Sequence, residues 1–181
     1  MIDRTEKILE YVKNKDVLDI GSVGQIWDNH NYCYELWNII KKYSKIAKGI
    51  DLNKSNDKDI IQGNMETYSF NKKFDVIVAG DVIEHVDNVG LFLDNVRKHL
   101  KDDGHFILTT GNIKSFMIHF KKESDDHVLG YNKQTLLHIL KKHGFKIKEF
   151  EYTYGSRKHF NFIKKLFGFK WAMLVVCEKC S

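Results

Sequence analysis

Apolar residues recur along the chain at two alternating periods, one helical and one extended. Ile8, Leu9 and Val12 share the apolar face of an opening helix, and DVLDIG (16–21) follows as a short strand running into a turn. Leu36, Ile40 and Tyr43, with Trp37 beside them, repeat at helical spacing. KIAKGID (45–51) and DIIQGN (59–64) predict the second and third strands. FDVIVAGD (74–81) is almost continuously apolar, as a strand buried on both faces must be. Val89, Leu93, Val96 and Leu100 predict a helix whose C-terminal end Gly104 follows, and HFILTTGN (105–112) a fifth strand. Leu136, Leu137 and Leu140 lie on one face of a last helix, which Gly144 stops.

This alternation predicts a mostly parallel sheet with helices on both faces, a Rossmann-like α/β fold. The ending departs from the pattern. FKIKEFEYTYG (145–155) alternates until its apolar phase slips at Glu149, which predicts a β-bulge. WAMLVVC (171–177) is apolar throughout and predicts a central strand. The segment between them has no room for a crossover helix with linkers, so the final pair is expected to be antiparallel. No repeat or linker divides the 181 residues, and one domain is expected over 1–181.

Composition adds exclusions. No apolar run reaches the roughly 18 residues of a membrane span. Charge at Asp3, Arg4 and Glu6 interrupts any apolar leader, so a cytoplasmic protein is expected. The formal net charge of +5 comes from lysines spread along the whole chain, which describes a solvated surface better than a nucleic-acid footprint. Cys33, Cys177 and Cys180 make neither a disulfide framework nor a zinc site with paired motifs, which also fits a reducing compartment.

Candidate chemistry gathers at the predicted strand ends. Asp19, Gly21, Ser22 and Gly24 form a turn where glycine lets the backbone approach a nucleotide. Asp51, followed by Leu52, ends the second strand, where a carboxylate reaches ribose hydroxyls; a helix cap is the plainer alternative. Asn64 and Met65 follow the third strand and could meet the edge and face of an adenine. Asp81 leaves the fourth strand and opens a D-x-x-E-H array with Glu84 and His85; His127 follows Asp125 and Asp126 in a later loop. Open α/β sheets bind ligands at this edge, so the agreement of the four marks outweighs any one of them.

Through FDVIVAGDVIEHV, with Asp19, Gly21 and Asp51, the chain resembles the class I S-adenosylmethionine-dependent methyltransferases over roughly residues 14–150. The resemblance implies a seven-stranded sheet with the last strand inserted antiparallel, and S-adenosylmethionine as cofactor. It places Asp19 and Gly21 at the methionine end, Asp51 at the ribose, Asn64 and Met65 beside the adenine, and Asp81 next to the transferable methyl. Where the family's first motif carries further glycines this chain has Val23 and Gln25, and Gly24 takes over one role. Related enzymes acting on RNA ends and quinone precursors hold metal with an E-x-x-E-H array, while many relatives carry similar letters as a cap. No metal is expected here, and Asp81, His85 and His127 are the catalytic candidates.

The expected reaction is O- or N-methylation of a small-molecule acceptor, such as a sugar or surface-polysaccharide precursor. A non-catalytic binding protein and an RNA methyltransferase are the alternatives. The basic aromatic segment 155–170, with Arg157, Phe160, Lys164 and Phe167, is expected to cover a domain edge or pack in an oligomer. Stacking on RNA or lying on a membrane surface is its less favoured use.

Overall fold

The computed structural model describes residues 2–24, 32–115, 128–153 and 170–180. The first helix, α1 (Arg4–Val12), is capped by Asp3, whose carboxylate accepts from the Thr5 and Glu6 amides. Strand β1 (Asp16–Ile20) leads through the glycine turn to α2 (Tyr32–Tyr43), β2 (Ile46–Asp51), β3 (Ile60–Gln62) and β4 (Phe74–Gly80). Then come α3 (Val89–His99), β5 (Leu100–Gly111), α4 (Lys133–Lys142), β6 (Phe145–Thr153) and β7 (Ala172–Lys179).

The seven strands form one sheet in the order β3-β2-β1-β4-β5-β7-β6. Strands β1 to β5 run parallel, while β7 is antiparallel to both β5 and β6. The expected antiparallel ending is therefore present. So is the bulge, where the β6–β7 register shifts between Ile147 and Glu149.

Strand alternation sorts the core into two layers. Ile8 and Val12 of α1 and Leu36 and Ile40 of α2 pack with Val17, Val76, Val78 and Ile107 on one face. Phe92, Leu93 and Val96 of α3 and Leu136 and Leu140 of α4 pack with Leu18, Ile77, Phe106 and Phe145 on the other. Strand β7 is buried from Ala172 to Cys177, as a central strand must be.

The structure refines two of these readings. Gly104 comes after α3 but takes no part in its cap, which is Leu100; it lies inside β5, where an added Cβ would stand 3.0 Å from the Asp75 carbonyl. The glycine instead permits the close approach at the register shift between Phe74 and Val76. Tyr43, which shares the helical spacing of Leu36 and Ile40, is exposed where they are buried. Gly144 does follow α4, with a left-handed φ of 76° and its amide donating to the Lys141 carbonyl. No helix among the described residues is long and apolar enough to cross a membrane. Most of the segment 155–170 lies outside the described residues.

Candidate active site

Parallel pairing brings the C-terminal ends of β1, β2, β3 and β4 to one edge of the sheet. Gly21 leaves β1 with a φ of 79°, and its amide donates to the Ile50 carbonyl at 2.8 Å. An added Cβ would stand 2.6 Å from a Val82 methyl, so the turn and the start of the Asp81 segment touch through this bare α-carbon. Ser22 does not present its hydroxyl to the edge. It is fully buried and donates to the Asp19 carbonyl at 2.8 Å. Asp19 is also buried, and that burial pushes its carboxyl up to about 8.

Asp51 holds the same turn from β2. One carboxylate oxygen accepts from the Val23 and Gly24 amides at 2.9 and 3.0 Å, and the other from the Asn53 amide at 2.8 Å. No helix follows it, so it is not a helix cap. Leu52 is 67% exposed at the edge. The exposed Asn64 accepts from the Glu66 amide, closing a local turn. Met65 is 5% exposed and packs into the core, while the Asn95 amide group donates to its carbonyl.

Asp81 follows β4 in a left-handed conformation, with φ 56°, which costs a non-glycine residue about 1–2 kcal/mol. Its amide donates to the Thr109 carbonyl at 3.0 Å, and one carboxylate oxygen accepts the Thr109 hydroxyl at 3.1 Å. The other oxygen pairs with the guanidinium of Arg4, which also reaches the Thr109 hydroxyl. Sequence reasoning missed Arg4 and Thr109. The signal was present for Arg4: with Ile8 and Val12 it extends the buried stripe of α1 at four-residue spacing.

Glu84 and His85 part company. His85 is exposed, whereas Glu84 is 5% exposed and one of its oxygens, Oε2, has no hydrogen-bond partner among the described residues. Burial, with the nearby Asp81 charge, holds the Glu84 carboxyl above the ordinary range. Burial also raises the Tyr131 hydroxyl to about 12, and the Glu84 charge contributes. Among the described residues no group of three or more His, Cys, Asp or Glu side chains is placed to hold a metal ion. His127, Asp125 and Asp126 lie outside those residues.

This sheet order and edge can be set against known proteins. The model of a family described as a methyltransferase domain matches residues 1–149. The chain belongs to that methyltransferase family. Its fold is shared with an S-adenosylmethionine-dependent methyltransferase of Archaeoglobus fulgidus, at a TM-score of 0.74 and 16% identity, over 97% of this chain and 91% of that one. The N-methyltransferase NodS of Bradyrhizobium japonicum, solved with S-adenosyl-L-homocysteine, gives 0.67 and 16%, over 98% and 86%. The chain is also 30% identical over 111 residues to the ubiquinone biosynthesis O-methyltransferase of Rickettsia conorii, covering 59% of this chain and 38% of that protein. The Rickettsia canadensis protein of the same name is 40% identical over 52 residues, covering 29% and 22%. The chain thus spans well under half the length of these curated relatives.

Proposed function

We propose that the chain transfers the methyl group of S-adenosylmethionine to an oxygen or nitrogen atom of a small-molecule acceptor. The observation that carries this is the tie between Asp51 and the glycine turn, which joins the ends of β1 and β2 into one unit facing the edge. The residues present fit the cofactor. The bare α-carbon of Gly21 leaves room for close backbone approach. A carboxylate offers about four lone-pair sites, and backbone amides occupy three on Asp51, so a ribose hydroxyl takes the fourth or displaces an amide. Asp81 supplies an anionic group, and Asp19 a carboxyl that a cationic ligand would ionise, for a cofactor that carries an ammonium and a sulfonium.

When bound, that cofactor supplies an electrophilic methyl group. The protein's part is to align the acceptor and exclude water. Asp19, Gly21, Ser22 and Gly24 hold the methionine end, Ser22 by bracing the turn. Asp51 and Leu52 hold the ribose, and Asn64 with the Met65 backbone flanks the adenine. Asp81, fixed by Arg4 and Thr109, orients the acceptor. A hydroxyl acceptor must lose a proton, and an imidazole nitrogen of His85 or His127 takes it; an amine acceptor needs less help. The names of the curated relatives favour oxygen. In this proposal residues 1–181 act as one domain and the reaction needs no metal.

Titration with S-adenosylhomocysteine is the decisive test. Micromolar binding, together with methyl transfer from labelled cofactor in an acceptor screen, is the expected result. No binding at about 1 mM leaves only a non-catalytic relative.

A further inference from the structure

We propose that the cavity at the β5–β7–β6 end of the same sheet edge binds a phosphate-class anionic group of the acceptor. The proposal rests on methyl transfer only for the word acceptor, since the anion site is argued from its own walls. Gly111 and Thr153 both pair with Ala172, so the end of β5, the start of β7 and the end of β6 lie together. Gly80 pairs with Thr109, which puts this corner beside Asp81.

The cavity measures about 750 Å³, a volume suited to a small molecule. Lys114, Lys133, Lys141 and Lys170 line it, and no carboxylate does so among the described residues. None of the four makes an ion pair among those residues. Two are positioned by aromatic faces: Lys133 Nζ lies 4.4 Å from the Phe150 ring centre and Lys170 Nζ 4.8 Å from that of Tyr152. A ring holds an ammonium without cancelling its charge, so among the described residues nothing neutralises either one.

A second observation is independent of charge. Ser115 also lines the cavity, is 4% exposed, and its hydroxyl has no hydrogen-bond partner among the described residues. A buried donor left unpaired is costly, and an anionic oxygen would satisfy it. Asn112 builds the corner. Its carbonyl accepts the Ser115 amide at 2.9 Å, and its side-chain amide donates to the Lys170 carbonyl at 2.9 Å. One residue therefore sets the unpaired hydroxyl and a cation on a common frame.

The test is calorimetric titration of the full chain with inorganic pyrophosphate at constant ionic strength. Saturable one-site binding is expected, weakened at least about tenfold in Lys133→Gln/Lys170→Gln. Ser115→Ala should weaken it about threefold or more at an unchanged melting temperature. Lys13→Gln/Lys45→Gln, two exposed lysines at the opposite sheet edge, should leave it intact. Binding that never saturates, or falls equally in the remote pair, overturns the proposal in favour of diffuse charge. Tighter binding of a short single-stranded RNA, lost in the same cavity variants, overturns it in favour of nucleic acid. S-adenosylhomocysteine is titrated separately: its binding without a pyrophosphate site sinks this proposal alone. A pyrophosphate site without it sinks methyl transfer and leaves the anion site standing.

Discussion

Arg4 and Asp81, 77 positions apart, form an ion pair that fastens the first turn of α1 to the end of β4. The Arg4 side chain is 9% exposed and that of Asp81 35%, so one partner is desolvated and the other half open. Truncating Arg4 removes the brace and leaves the Asp81 side chain, among the described residues, with Thr109. Arg4→Met should destabilise the protein by about 1–2 kcal/mol, below the cost of breaking a fully buried pair because Asp81 keeps solvent. Thermal unfolding should register this as a drop of a few degrees. An unchanged melting temperature would mean that the pair contributes nothing to the fold.

Asp51→Ala removes the acceptor of three backbone amides as well as the proposed ribose contact. Affinity for S-adenosylhomocysteine should fall by about 1–3 kcal/mol, read by calorimetry. An unaltered affinity would confine Asp51 to bracing the turn.

Gly21→Ala must fit a Cβ 2.6 Å from Val82 at a φ of 79°. Denaturant unfolding should show a loss of about 1–3 kcal/mol. Adding Val82→Ala should recover part of it, because the clash is relieved while the backbone strain stays. No recovery would show that Val82 is not the obstacle.

Asp19 carries a proton in the folded protein up to about pH 8, whereas an unfolded chain releases it near pH 3.8. Across that window the folded state binds more protons, so this group lowers stability as pH rises. A cationic ligand beside Asp19 favours the ionised form. Cofactor binding at pH 7 should therefore release protons and tighten towards pH 8. Calorimetry in buffers of different ionisation enthalpy measures the release, which should vanish in Asp19→Asn. Equal release in that variant would assign the protons to another group.

Turnover should survive EDTA. Asp81 is already paired with Arg4, and a divalent cation there would have to displace the guanidinium. Loss of activity restored by Mg²⁺, together with loss in His85→Ala and His127→Ala, would establish a metal-assisted reaction instead.

The fold was legible because burial imposes period on sequence. Val17, Val76, Val78 and Val176 had to be apolar wherever the sheet is covered on both faces, and the slip at Glu149 recorded the bulge directly. The strand-end carboxylates were legible for a similar reason, since parallel strands deliver their ends to one edge. What each side chain does there was not. Met65 reads as a ring-facing residue in sequence and is core in space. Ser22 reads as a ligand contact and points inward. Both depend on packing from elements distant in the chain. Arg4 escaped because a charge on an apolar stripe is usually assigned to solvent, and its partner lay far along the sequence.

The placement of β7 between β5 and β6 has a consequence for how the protein is made. Synthesis runs from the N-terminus, so β5 and β6 exist before the strand that joins them. Until residues 172–179 emerge, the chain carries two open, apolar-backed strand edges, each a template for pairing with a neighbouring chain. Closing the sheet then requires a late segment to enter a gap rather than add to an outer edge. Nascent copies are therefore most prone to self-association in the interval just before their last strand is released, and a truncation ahead of Ala172 would make that interval permanent.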